Sequence, residues 1–500
     1  MIELAPKTCQ TRRVSLSRAD ADPQPVTTGN GHRQMTTLSR FDQAGLIVSL
    51  CIGVLAVAFE QFAINTVMVR VAAPEELNDM SRYAWAFTLF VLGQAFAIIV
   101  VGRLIDRFGA FMPLAVGMAV FALGLVLAGS AQQMTTFLAA RVVQGLGGGT
   151  LNITLMVIIA EVFPEKRRSV MMTIFSFCYL LPAFVGPPLA SIITDGIGWR
   201  WVFWLIVPLV VIASVIGFHS VFDLYRDREI RPSSADAVPI WVALAGTIGM
   251  GLLQAGWQEL TNADTEAFRW DVIVVFAIIG LMAVALALSK LMPNGFWKFQ
   301  AGMPALMWVR MTLAGAFFAS ASFIALLLHL DRGLTLPQAG WALSLGALGW
   351  VPGTLLQTQP WFKLRRDQII LLGACLTALG LGLLAIFAGW PSVPMVVAIL
   401  ALLVAGFGMG MSSPSTSLAL MTLSPPEAIG RNTSGLQVAD NLGSAFFAGI
   451  SGSFMAVMMP RVGIPITFGW MYAINAAVVV VAIALTIRMG KVRNEASGVG

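Results

Sequence analysis

Charge is scarce in this chain. Asp, Glu, Lys and Arg make up 11% of its 500 residues, against about 25% in an ordinary soluble domain, which excludes a water-soluble globule. Histidine is scarcer still: the 3 present, His32, His219 and His329, stand beside no acid or nucleophile pattern, which argues against a membrane-embedded acyl or glycosyl transferase. The 4 cysteines, Cys9, Cys51, Cys178 and Cys375, have neither metal-ligand spacing nor the density of a disulfide framework, and read as packing residues. No metal is expected. The formal charge of +6 does not form a basic face, because the cations sit in short clusters between apolar runs, so no nucleic-acid partner is expected.

What the chain has in abundance is apolar length. Hydrophobic residues make up 57% of it and the mean hydropathy is +0.82. Apolar runs fall near 45–73, 83–104, 111–130, 134–162, 169–194 and 199–221, then 238–258 and 270–290, then 304–330, 337–358, 368–389, 393–423, 430–459 and 464–488. Each is near the roughly 20 residues that cross a bilayer's hydrocarbon, where backbone polar groups must be satisfied within a helix. The fold class expected is therefore all-α integral membrane, with fourteen transmembrane helices. The polar breaks divide it into a disordered tail over 1–42, a six-helix bundle over 43–222, a linker with two additional spans over 223–302, a second six-helix bundle over 303–490 and a tail over 491–500. The first apolar run is too long for a cleavable leader and is read as a retained span.

Orientation follows from Lys and Arg, which short cytoplasmic loops accumulate. With the N-terminus inside, 23 of the 31 fall on the cytoplasmic side, 6 on the other, and Arg141 and Arg310 lie within spans. Both termini are thus expected in the cytoplasm of a multi-pass protein of the cell membrane, inner or plasma. The middle pair must cross twice or not at all, since a single crossing would turn Lys363, Arg365 and Arg366 outward. Glu259, Asp264, Glu266 and Asp271 between the two runs suit an external hairpin.

Embedded charges mark the candidate site, because an ionisable residue inside a membrane is costly and usually functional. Glu60 lies about 21 Å along the first span, about 9 Å from the outer edge of a 30 Å core, and Arg141 about 10 Å from the outer end of the fourth, so the two can meet. Arg141 also admits a purely structural reading, as a bridge to helix carbonyls. Asp440 lies about 14 Å into its span and is a candidate for a second proton or substrate contact. Arg310, a turn or two inside its span, is expected to snorkel to the cytoplasmic surface.

Local motifs carry a family resemblance. The loop after the second run reads Gly102-Arg103-Leu104-Ile105-Asp106-Arg107-Phe108-Gly109, and this G-x-L-x-D-R-x-G pattern resembles the signature loop of the major facilitator superfamily. Its glycines permit a tight turn and close packing, and Asp106 can meet a helix N-terminus or an arginine as a latch that breaks and remakes. Arg141-Val142-Val143-Gln144-Gly145 is similar to the family's R-x-x-Q-G motif, and the glycines that follow it suit helix packing better than phosphate binding, for which the following Lys is missing. Gly186-Pro187-Pro188-Leu189-Ala190, with Pro182 upstream, resembles the exporter-associated kinked helix that seals the outer side between the two halves. A bare proline kink is the alternative. Glu60 five positions before Asn65 is similar to the first-span pattern.

The resemblance, which is to the fourteen-span drug:proton antiporter branch, implies two six-helix bundles around a central cavity, alternating access, and export of an amphipathic or hydrophobic small molecule in exchange for protons. It implies a monomer in the bilayer that uses the proton gradient and no cofactor. Glu60, Arg141 and Asp440 would serve proton coupling, while Gly102, Asp106, Arg107 and Gly109 would form the latch and Gly145, Gly186 and Pro187 the helix packing and seal. A lipid exporter or a proton-driven importer on the same scaffold remains the alternative, since a fold fixes neither direction nor cargo.

Overall fold

The computed structural model describes residues 40–163, 165–225, 239–259, 270–357, 359, 361–425 and 429–492. Most of the two expected tails, the polar linker after 225, most of the loop between the two middle spans, and the side chain of Asp106 lie outside the described residues. Among those described there is no strand, as a chain that must satisfy its backbone inside hydrocarbon requires.

The first half comprises α1 (Arg40–Val71), α2 (Tyr83–Phe108), α3 (Phe111–Gly129), α4 (Met134–Val162), α5 (Glu165–Ile197), α6 (Arg200–Trp204) and α7 (Ile206–Tyr225). A hairpin follows, α8 (Ile240–Glu259) and α9 (Trp270–Leu291). The second half comprises α10 (Met303–Leu330), α11 (Leu336–Leu348), α12 (Trp350–Leu356), α13 (Arg366–Gly389), α14 (Met395–Leu423), α15 (Ile429–Val462) and α16 (Ile464–Met489). Helices α6 and α7 together make one crossing and α11 and α12 another, so among the described residues 14 stretches are long and apolar enough to span a bilayer. That is the number the apolar runs predict. Two boundaries differ from expectation: α1 begins at Arg40, inside the expected tail, and α7 continues to Tyr225.

Successive crossings alternate in direction, so the molecule has a proximal end, where α1 starts, and a distal end. Burial separates core helices from peripheral ones. The most apolar stretch of α10 is 78% buried and that of α9 only 17%, so α9 turns Val274, Ile278 and Met282 outward to the lipid. Small residues set the closest helix approaches. A Cβ on Gly145 of α4 would collide with the Phe90 carbonyl of α2, and one on Gly147 would meet the backbone of Phe121 on α3; the glycine run after Arg141 is thus where α4 wedges between two neighbours. At the distal surface Arg200 pairs with Glu76 at 3.1 Å. Partial burial raises the Glu76 carboxyl, but the Trp199 indole and the Arg200 and Arg70 guanidiniums beside it outweigh that and hold it below the usual carboxylate range.

The two bundles touch at the distal end along two seams. On one, Tyr83 of α2 donates to the Ser322 carbonyl of α10 at 3.0 Å, and Gly452 of α15 lies so close to Ala84 that no side chain fits between them. On the other, α5 packs on α11: a Cβ on Gly340 would stand 2.6 Å from Ser191 Oγ and 2.8 Å from the Pro187 carbonyl oxygen.

Candidate functional site

Helix α5 carries Pro182, Pro187 and Pro188 inside its length. A proline has no N–H to give to the carbonyl four residues before it, so Pro188 leaves the Phe184 carbonyl without its helical donor. Ser344 of α11 supplies one from the other bundle, its hydroxyl donating to that oxygen. Thr66 of α1 donates to the Pro187 carbonyl at 3.2 Å, which ties α5 back to its own bundle. Gly186 is less crowded than the seal expected of it: a Cβ there would meet Phe62 and Phe59 only at ordinary contact distance. The close approach belongs to Gly340, a residue no local pattern singles out.

Deeper in the first bundle, Glu60 of α1 and Arg141 of α4 are each 1% exposed, and an Arg141 terminal nitrogen donates to Glu60 Oε1. The guanidinium is held on its other sides as well. Its Nε donates to the Ala86 carbonyl of α2 at 2.9 Å, the same terminal nitrogen reaches Gln144 Oε1 at 2.6 Å, and the plane lies 4.4 Å from the centre of the Phe90 ring. Arg141 therefore joins α1, α2 and α4 through one cation. Removing one member of such a pair costs about 3–5 kcal/mol, because the other charge is left buried and uncompensated. Glu60 Oε2 has no hydrogen-bond partner among the described residues, and neither do the amide nitrogens of Gln94 and Gln144. The pair is thus incompletely satisfied, with polar valences left over beside it.

A second pair lies in the other bundle. Arg310 of α10 grips Asp440 of α15 with both sides of its fork, Nε to Oδ1 at 2.5 Å and a terminal nitrogen to Oδ2 at 2.6 Å. Its remaining nitrogen donates to the Ser413 carbonyl and hydroxyl, each at 2.6 Å, and to Thr416 Oγ1 at 3.0 Å on α14. The snorkelling expected of Arg310 is therefore corrected: a carboxylate and three further acceptors inside the bundle outcompete the surface. The structure places Asp440 beside Arg310, in a cluster separate from Glu60.

At the proximal end, α2 closes on Gly109, which turns at φ +78°, a conformation that favours glycine, and donates its N–H to the Ile105 carbonyl at 2.8 Å. Arg107 lies 5.1 Å from the centre of the Phe108 ring. Gly102 does not have the close packing expected of it, since nothing stands within 4 Å of where its Cβ would be. The corresponding loop in the second half, from Trp361 to Asp367, is more than the basic cluster its sequence suggests. Arg365 pairs with Asp367 at 2.7 Å, and Asp367 Oδ1 accepts the Val492 N–H at 3.1 Å. Arg366 turns inward to Gln357 Oε1 at 3.3 Å, and that oxygen also accepts from Ser415 at 2.5 Å. Sequence reasoning missed this network because its members come from the turn after α12, from the start of α13, from α14 and from the segment after α16.

The family model described as Major Facilitator Superfamily matches residues 50–448. The chain is 24% identical over 428 residues to "Multidrug transporter protein MdtP" of Bacillus subtilis, covering 83% of this chain and 74% of that protein. It is 20% identical over 425 residues to "Efflux pump roqT" of Penicillium rubens, covering 81% and 76%. Among solved structures it is similar to an auto-inhibited POT family peptide transporter, with a TM-score of 0.67 at 16% identity over 90% of this chain and 99% of that one. It is also similar to a peptide transporter POT in complex with sulfate, with a TM-score of 0.64 at 15% identity over 89% and 94%. At such identity the likeness is one of fold.

Proposed function

The chain belongs to the Major Facilitator Superfamily, and from that premise we infer that this multi-pass membrane transporter is a proton-coupled exporter of amphipathic or hydrophobic small molecules that works by alternating access. The observation that carries the proton coupling is the Glu60–Arg141 pair, a carboxylate and a permanent cation buried together with a carboxylate oxygen left over. Protonating Glu60 removes the charge that binds α1 to Arg141, while Arg141 keeps its bonds to Ala86 and Gln144. The grip between α1 and the α2–α4 pair then depends on whether a proton is present. Asp440 with Arg310 offers the other bundle a second exchangeable pair.

The cation count favours the proximal end as cytoplasmic, so the distal seams around Tyr83, Gly340 and Ser344 correspond to a protein sealed on the outside. In this reading Asp106, with Arg107 and the Gly109 turn, latches the proximal end when the outside opens. The curated relatives named for multidrug transport and efflux support export over uptake. The test is transport into inverted membrane vesicles under an imposed proton gradient, across hydrophobic dyes, lipids and peptides. Gradient-dependent accumulation of dyes is expected. Accumulation of peptides alone, or of nothing that a proton ionophore abolishes, would overturn the assignment.

A further inference from the structure

The α8–α9 hairpin is not part of either six-helix bundle, yet it is bound to both. Its helices pack as one unit: a Cβ on Gly249 would stand 2.8 Å from the Gly280 carbonyl, and one on Gly280 would stand 2.8 Å from that of Gly249. At the proximal end this unit is fixed to the second bundle. Phe296, just after α9, stacks on Trp308 of α10 at 4.6 Å and 11°, and the Trp308 indole donates to the Phe296 carbonyl at 2.9 Å. Trp297 reaches back to Ser289 of α9 at 2.9 Å. At the distal end α8 packs on α2 of the first bundle, and there the Trp85 indole of α2 donates to Gln258 Oε1 of α8 at 3.0 Å. Distal α8 also packs against α15 of the second bundle, where Leu253, Gln254 and Trp257 face Phe446 and Gly449 across a cavity of about 10 Å³, room for a single water.

The hairpin therefore lies across the seam between α2 and α15, and that seam must part when the distal end opens. Aromatic stacking, a short chain connection and the packing of distal α8 on α15 bind the hairpin to the second bundle, and the neutral Trp85–Gln258 hydrogen bond fastens its packing on α2 of the first. We propose that the hairpin is a strap, carried by the second bundle, that latches the first bundle through Trp85 and Gln258 while the distal end is closed and releases it on opening. The proposal rests on the alternating-access reading above. A hydrogen bond of this kind shifts a two-state equilibrium by about fivefold.

The experiment uses the full-length protein in lipid nanodiscs, with Cys9, Cys51, Cys178 and Cys375 replaced by serine and spin labels placed in pairs. Labels at Asp195 and Thr335 read distal opening. Labels at Glu259 and Glu75 read the strap against the first bundle, and labels at Glu259 and Gly463 read it against the second. In the opened population, which Gly340→Leu enriches, the 259–75 distance should lengthen while the 259–463 distance holds. Trp85→Phe and Gln258→Met should each raise the open fraction about fivefold, and the double variant no further. A strap that keeps its distance to Glu75 and leaves Gly463, or single variants with no effect on the open fraction, would overturn the proposal. A single 195–335 distance in every variant would instead overturn alternating access, and the strap with it.

Discussion

The Ser344 hydroxyl donates to the Phe184 carbonyl across the two bundles, and it can do so because Pro188 has taken away that carbonyl's helical donor. The proline pair in α5 thus does more than bend a helix: it presents an acceptor to the opposite half of the molecule, at the end where the halves meet. A kink without directional meaning would leave the carbonyl to lipid or water.

Ser344→Ala removes the donor, and Pro188→Ala restores an N–H that competes for the same oxygen. Each should weaken distal closure by about 1 kcal/mol, roughly a fivefold rise in the open fraction, and the two together should do little more than one. Labelling of a cysteine placed in the distal seam between α5 and α11, by an impermeant thiol reagent, reads that fraction. Additive effects of the two changes would separate Pro188 from the hydrogen bond.

Gly340 sets how closely α11 can approach α5, with Pro187 and Ser191 less than 3 Å from any added Cβ. Backbone on one side of that contact cannot move aside as a flexible side chain would. Gly340→Leu should therefore hold the distal end apart and abolish turnover while the protein still inserts and remains monodisperse. Normal transport by that variant would mean that the seam closes elsewhere.

Arg310 and Asp440 are 11% and 10% exposed, so truncating the cation leaves a carboxylate with little water to solvate it. Arg310→Ala should lower stability in detergent by about 3–5 kcal/mol, and combining it with Asp440→Leu should recover most of the loss. Scanning fluorimetry across the single and double variants makes the comparison. A double variant as unstable as the single one would assign the loss to Ser413 and Thr416 instead.

The span count and the meeting of Glu60 with Arg141 were legible because both depend on quantities that run along one helix: apolar length, and depth from a helix end. Pairings that depend on which helices are neighbours were not. Arg310 looked close to a surface when counted along α10, but its fate was decided by Asp440 on α15, 130 positions away. Ser344 and Phe184, 160 positions apart, have no sequence signal linking them beyond the proline that frees the acceptor. Gly102 shows the converse: its motif suggested close packing, and the space beside it is open. The Arg366, Gln357 and Ser415 network draws on α13, α14 and the turn after α12, and in sequence only its cation was visible.

In this transporter Glu60 is proposed to carry the coupled proton. Glu60→Gln keeps the size of the side chain and an oxygen for Arg141 but loses the exchangeable charge, so the buried pair becomes a fixed cation with a neutral partner. The direct measurement is accumulation of a transported dye in inverted vesicles under an imposed proton gradient, beside gradient-free dye exchange in the same vesicles and at matched expression. Glu60→Gln should lose gradient-driven accumulation and retain exchange. Full gradient-driven accumulation by Glu60→Gln would contradict it, and would send the proton through another group, Asp440 first.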